Sequence, residues 1–232
     1  MQELEGCVRV GLFPSFFYTK DNANDAFAGF GVELARHFAE AQGLAALLKE
    51  YAAPPAVVQA LKDGDCDIGL MGLDPMRGMD VDFSPPYLRA DFTFLVPTGS
   101  RIDQISDVDR PGLRVAVVRD HAMDFALRGR FRQADRIFAS TPDEGFRMVR
   151  AGRADILAGI RPGLLRYAES LPGSRVLEGR YGENVLAFAV AKGRNDWLSA
   201  VDQFVLDSRS SGLLQRIIQA TGLAGVEPVL VS

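Results

Sequence analysis

The chain has few of the residue types and sequence features that several functional classes require. Its 232 residues include two cysteines and two histidines, too few for a disulfide framework or a structural zinc site. Its 26 basic and 30 acidic side chains give a net charge of −4, which argues against nucleic-acid binding. The best apolar run, residues 185–191, is far shorter than the roughly 18 residues of a membrane span. No metal, cofactor or nucleic-acid partner is indicated.

What is present indicates a globular α/β protein. Apolar residues make up 47% of the chain and charged residues 24%, as in ordinary folded proteins. Short apolar runs alternate with helical patterns, which is typical of parallel strands joined by helices. We predict strands over 8–12, 47–51 and 68–73, a helix running up to Gly43, and a short helix over 56–62 that Gly64 ends.

One pattern occurs twice along the chain. Residues 61–68 (LKDGDCDI) and 149–156 (VRAGRADI) share an apolar residue, a glycine three positions later and an Asp-Ile pair. In each copy a glycine cap would end a helix and the Asp-Ile pair would open a buried strand. Chance recurrence of a common joint is the alternative, but each copy is also preceded by a matching first strand. We therefore expect two similarly built lobes.

Several motifs, in order, give the chain a resemblance to a known family. Asp82-Phe83-Ser84 with Pro86-Tyr87, placed shortly after Arg77, is the most diagnostic piece. With these, the chain resembles the bacterial extracellular solute-binding proteins of family 3, over about residues 6–222. The other matching segments are VRVG at 8–11, GFGVELA at 29–35, LKDG at 61–64, DI at 67–68 and GRAD at 152–155.

The resemblance implies a two-lobe type II periplasmic binding protein fold with two hinge strands, 92–96 and 185–190. Lobe 1 would be residues 1–95 plus 186–232, and lobe 2 residues 96–185. A ligand between the lobes would favour the closed form, which a membrane permease of an ABC importer can recognise. We expect a monomer that performs no covalent chemistry.

The resemblance also assigns candidate ligand-binding residues. It places Arg77 against the ligand carboxylate, because a guanidinium donates two parallel hydrogen bonds; a solvated loop arginine is the alternative. Helix N-terminal amides of the second lobe would come from Asp120, His121 and Ala122. Asp120 could instead be only an N-cap.

Two aromatic positions, Phe13 and Phe16, match a segment that often stacks on the ligand, although a core or loop-anchoring role is equally open. Amino-acid binders of the family usually carry an acid two positions before a proline of the second lobe, to pair with the ligand ammonium. Here that position is Ile160, followed by Arg161. An apolar residue cannot satisfy a buried ammonium, which puts a standard α-amino acid in doubt.

A second departure is Asp74, where the family commonly has threonine. Asp74 could bind an ammonium from the other side, or it could pair with Arg77 and weaken the grip on a carboxylate. Both interpretations stay open at this point, as does a different anion or a polar neutral ligand.

The two cysteines suggest a disulfide. In the expected sheet, the strands after Cys7 and Cys66 are parallel neighbours about 4.8 Å apart. A bond closing a loop of about 58 residues would add roughly 4 kcal/mol in the chain-entropy model.

The function we expect is capture of a small carboxylate-bearing ligand, an amino acid or related organic acid, for ABC-type import. The alternatives are a periplasmic dehydratase of the cyclohexadienyl or arogenate type, which shares the fold, and the sensory domain of a membrane receptor. We expect a periplasmic protein, although the first residues, MQELE, have neither the basic nor the apolar region of an export signal.

Overall fold

The structure is a computed structural model that describes residues 6–21, 26–74, 76–119 and 121–229. Among these, the first of two compact units takes the residues up to Arg89, then Val185–Leu223 and those from Glu227 on. The second unit takes Ala90–Asn184 and Ala224–Val226. Each unit is an α/β layer structure.

The strands are β1 Cys7–Leu12, β2 Thr19–Asp21, β3 Ala26–Ala28, β4 Ala45–Glu50, β5 Ile68–Gly72, β6 Val81–Phe83, β7 Leu88–Val96, β8 Arg114–Val118, β9 Asp135–Ala139, β10 Ile156–Ile160, β11 Arg175–Val176, β12 Gly182–Ala191 and β13 Val226–Pro228. The α-helices are α1 Phe30–Ala41, α2 Pro54–Asp63, α3 Ala122–Arg130, α4 Pro142–Arg150, α5 Arg161–Glu169, α6 Asn195–Ser210 and α7 Leu213–Thr221. Two short 3-10 turns cover Arg77–Met79 and Ile105–Val108.

In the first unit, β1 is central and parallel to both β4 and β5. β12 returns to this unit late in the chain and pairs antiparallel with β5 and β6. In the second unit, β8 is parallel to β9 and β10, and β7 runs antiparallel to β10. The long strands β7 and β12 carry the chain from one unit to the other and back.

The predicted elements of the first βαβαβ run are present, with shifted ends. The strand predicted over 47–51 is β4, which begins two residues earlier at Ala45. The helix predicted over 56–62 begins at Pro54, because proline is well accommodated in a first helical turn, and Gly64 ends it in the left-handed region with φ of 74°.

The aspartate of the repeated segment makes the same contacts in both units, although Gly64 is the C-cap of α2 while Gly152 follows the C-cap Ala151 of α4. In the first unit, Arg9 donates its backbone N–H and its guanidinium to Asp67, with bonds of 2.6–3.0 Å. In the second unit, Arg114 makes the same three bonds to Asp155 at 2.7–3.2 Å. Asp67 thus binds β1 and Asp155 binds β8, and in each unit the Asp-Ile pair joins two parallel strands.

Each unit has its own apolar core. In the first, α1 and α6 bring Phe38, Phe188 and Phe204 together, with ring centroids 5.3–6.0 Å apart. In the second, the rings of Phe94 and Tyr181 stack at 4.7 Å. The amphipathic helices therefore bury their apolar faces on the sheet of their own unit.

The predicted disulfide is wrong. Both cysteines lie in the described part of the chain, and both are thiols there. Cys66 lies two residues before β5, outside the regular pairing with β1, and its side chain packs beside Gly11, with its Sγ 3.2 Å from the position that a Cβ on Gly11 would take. Gly11 is four residues further along β1 than Cys7, about 13 Å at the rise of a strand, which is too far for a disulfide. Burial raises the pKa of the Cys66 thiol to about 11.

Candidate functional site

Arg77 lies on the 3-10 turn Arg77–Met79, shortly after β5 ends at Gly72. Its Nη1 donates to the Gly72 carbonyl oxygen at 2.9 Å, which ties the guanidinium to the strand end. Its Nη2 lies 3.9 Å from Asp74 Oδ2. Because the side chain is 29% exposed, it keeps N–H groups that a ligand can reach.

Asp74 organises the same turn. Its Oδ1 accepts the backbone N–H of Met76 at 2.8 Å, and its carbonyl oxygen accepts the N–H of Gly78 at 3.0 Å. Pro75, between them, lies outside the described residues. The turn thus presents a carboxylate and a guanidinium three positions apart.

Apolar residues flank Asp74 and Arg77 in the sequence. Leu73, Met76 and Met79 are among the exposed large apolar residues. The turn therefore combines two opposite charges with solvent-facing aliphatic surface, as many small-molecule sites do. Met76 belongs to the Pro75-Met76-Arg77 motif of the resemblance, but the sequence analysis gave neither methionine a role.

The two candidate aromatic residues, Phe13 and Phe16, both pack against other residues of the first unit. Phe13 is half-buried and packs against the cluster that contains Val57 and Cys66. The Phe16 ring lies 4.0 Å from the Phe17 ring. Their role in stacking on a ligand stays a prediction.

The second unit contains the remaining candidates. His121 is the N-cap residue of α3 and Ala122 its first residue, and both are exposed. The His121 side chain makes no capping hydrogen bond. Asp120 lies outside the described residues. The exposed start of α3 presents backbone N–H groups to solvent.

Ile160 and Arg161 lie where β10 meets α5. Ile160 packs on a core cluster of its unit. Arg161 is 15% exposed, and its guanidinium binds Asp91 and the carbonyl oxygens of Leu177 and Gly179. Those contacts occupy the side chain within the second unit, a structural role that sequence analysis missed because Asp91 is far away in the chain.

The described ranges contain no metal-ligand cluster and no membrane-spanning helix. No group of three or more His, Cys, Asp or Glu side chains there is placed to hold a metal ion. Nor does any helix of these ranges have both the length and the hydropathy of a membrane span.

Comparison with solved structures defines the fold. An ancestral cationic amino acid solute-binding protein matches with a TM-score of 0.77 and 26% identity, over 93% of this chain and 95% of that one. A second structure of an ancestral amino-acid-binding protein, described as a precursor of cyclohexadienyl dehydratase, has a TM-score of 0.73 at 26% identity, with coverage of 93% and 95%. A protein from Wolinella succinogenes, assigned as an ABC-transporter binding component and complexed with lysine, has a TM-score of 0.79 at 25% identity, with coverage of 94% and 96%. The fold is that of the type II periplasmic binding proteins.

The family follows from the sequence match. The model of the bacterial extracellular solute-binding proteins, family 3, matches residues 8–221, and the chain belongs to this family. Among curated proteins, the ABC transporter glutamine-binding protein GlnH of Bacillus subtilis is 22% identical over 206 residues, which are 87% of this chain and 75% of the relative. The resemblance inferred from the motifs is therefore confirmed.

Proposed function

We propose that this protein is a periplasmic solute-binding protein that captures a small carboxylate-bearing ligand, an amino acid or related organic acid, for an ABC importer. Family membership supports binding as the activity. The glutamine-binding relative and the neighbour complexed with lysine support an amino-acid-like ligand and a permease partner. We propose that the protein acts as a monomer.

The observation that carries this proposal is that Arg77 is both anchored to the backbone and partly exposed. A guanidinium anchored by one backbone carbonyl at 2.9 Å is oriented in advance, yet it retains donors for a carboxylate. Charge-assisted bonds of this kind are roughly twice as strong as neutral ones. Arg77 is thus the proposed anchor for the ligand carboxylate, and the exposed start of α3 at His121 and Ala122 is proposed to add backbone N–H donors.

Thermal unfolding tests the proposal. The protein is heated with each of the standard amino acids, with aromatic acids and with small dicarboxylates, because a bound ligand raises the melting temperature by mass action. Arg77→Ala is expected to abolish the shift produced by any carboxylate that binds. Arg36→Ala is the matched control, since Arg36 pairs with Glu33 on α1. An undiminished shift in Arg77→Ala would remove Arg77 from the site.

A dehydratase is the second candidate, favoured by the neighbour described as a precursor of cyclohexadienyl dehydratase. Such an enzyme needs a general acid at its ligand. Asp74, Asp120 and His121 are the candidates in this chain. Turnover of prephenate or arogenate by the purified protein would decide for the enzyme, and binding without turnover would decide for transport.

A further inference from the structure

The first unit contains a groove between α1, α6 and the start of α7, with a volume of about 550 Å³. This volume is within the range of small-molecule sites. The charged and hydroxyl side chains that line it include His37, Glu40, Asp207 and Ser208. None of the described residues that line this α1–α6 groove is among the candidate ligand-binding residues named above. The groove is therefore a separate feature of the molecule.

The charged groups of the α1–α6 groove favour a cation. Among the described residues that line it, none is a lysine or an arginine. Asp207 Oδ1 accepts the side-chain amide of Gln203 at 2.9 Å, and no described residue bonds its Oδ2. Glu40 Oε2 is 3.8 Å from His37 Nδ1, beyond hydrogen-bonding distance. Both carboxylates can therefore accept hydrogen bonds from a ligand.

A buried hydroxyl of the groove has no partner. Ser208 lines the groove and is 2% exposed, and its Oγ has no hydrogen-bond partner among the described residues. Buried polar groups in proteins are nearly always paired. This hydroxyl therefore indicates a partner that binds from the groove, and a hydroxyl oxygen can accept an N–H of an ammonium group.

Two helices end at the groove. The C-cap residues of α1 and α6, Gln42 and Ser211, both line it, and the C-terminus of a helix attracts cations. Arg216 Nη1 already donates to the Ser211 carbonyl oxygen at 2.7 Å. The last turn of α1, all of it described, has no basic residue. The negative end of α1 is therefore the one that a bound cation can neutralise.

We propose that the α1–α6 groove is a second ligand site, for a small aliphatic amine in its ammonium form. Asp207 and Glu40 supply opposite charge, and the Ser208 hydroxyl supplies a hydrogen-bond acceptor. The apolar lining residues Phe204 and Leu213 suit an alkyl chain better than a hydrated metal ion. Since these residues take no part in the proposed function, the inference is independent of it.

Nuclear magnetic resonance titration of the native protein with 1,4-diaminobutane tests the proposal. Saturable shifts are expected at the backbone amides of α1 and α6 that line the groove, at millimolar concentrations. Two comparison compounds isolate the chemistry: 1,4-butanediol has the same chain without charge, and tetramethylammonium has the charge without N–H donors. Each is expected to bind at least about tenfold more weakly than the diamine, because charge-assisted hydrogen bonds are the strong ones.

Asp207→Asn removes one charge from the groove and is expected to weaken diamine binding about tenfold. Asp63→Asn is the matched control. Asp63 accepts the side-chain amide of Gln59 at 2.8 Å on α2, so it has the same pairing four residues apart and loses the same charge, and its diamine affinity should equal that of the native protein.

Ser208→Ala separates a binding role from a structural one. It is expected to weaken diamine binding about threefold. It should not lower the melting temperature, because the hydroxyl has no partner in the described chain to lose. Unchanged diamine affinity in this variant would contradict the role of the hydroxyl.

The inference is overturned if the native protein does not bind the diamine, if it binds the diol equally well, or if Asp207→Asn and Asp63→Asn behave alike. Arg77→Ala should leave diamine binding unchanged. Loss of diamine binding in that variant would place the diamine at the proposed carboxylate site and would also overturn the inference. None of these failures counts against the proposed function, which the carboxylate ligands test.

Discussion

Replacing Asp67 with alanine is expected to destabilise the first unit by about 3 kcal/mol. The Asp67 side chain is 9% exposed and accepts three hydrogen bonds from Arg9, one of them from the backbone N–H at 2.8 Å. Leaving that N–H without an acceptor costs about 1–3 kcal/mol. The partly exposed guanidinium contacts add about 1 kcal/mol.

Urea unfolding followed by fluorescence measures this loss. The one tryptophan of the sequence, Trp197, lies in the first unit 6.1 Å from the Phe38 ring, so its signal reports that unit. Asp67→Asn should lose only about 1 kcal/mol, because the amide oxygen still accepts the Arg9 backbone N–H.

The second copy of the repeated segment provides the control for Asp67→Ala. Asp155 makes equivalent bonds in the second unit, but its side chain is 35% exposed, so Asp155→Ala should have a smaller effect, about 1–2 kcal/mol, on overall stability measured by circular dichroism. If Asp67→Ala loses no more than Asp155→Ala, burial does not set the value of this contact and the reasoning is refuted.

Two further predictions concern titration. The thiol reagent DTNB should find two thiols in the unfolded, unreduced protein, and Cys66 should react slowly in the folded state because burial raises its pKa to about 11; a single reactive group per chain or none would contradict this. Hydrogen bonding to Arg114 lowers the folded pKa of Asp155, so its contribution to stability is complete above the ordinary value of about 4 and is lost as the pH falls through the lower folded value. Asp155→Asn should therefore be less stable than the native protein at about pH 7, with the gap closing as the pH falls below the ordinary carboxyl value of about 4; a gap that is constant with pH would contradict the assignment.

Local features were predictable from the sequence. Pro54 and Gly64 bracket α2 because proline favours a first helical turn and glycine adopts the left-handed cap. The repeated Gly-x-x-Asp-Ile joint was visible as a pattern. The role of its aspartate could not be predicted, because Asp67 binds Arg9, which is 58 positions away in the chain.

Side-chain partners in the candidate site were predictable only in part. The motif around Arg77 identified the residue, and the family match confirms the motif's origin. Arg161 pairs with Asp91, which lies 70 positions earlier in the chain. This contact could not be predicted from the sequence, because it depends on which segments become neighbours in the fold.

The disulfide shows that neighbouring strands do not ensure neighbouring side chains. Two parallel neighbouring strands, each preceded by a cysteine, are a reasonable basis for a bond. Cys66, however, lies before β5 with its Sγ beside Gly11, which is four residues, or about 13 Å, along β1 from Cys7.

By itself, the order of residues determined which segments of the first βαβαβ run form helices and strands, although not their exact ends, that the pattern occurs twice, and which family the chain belongs to. These follow from interactions within a few positions and from motif spacing. Tertiary structure alone decided the strand register, the partner of each aspartate and arginine, and the 3.9 Å between Asp74 and Arg77. Those distances depend on how distant segments and a turn's backbone pack together, which no local preference specifies.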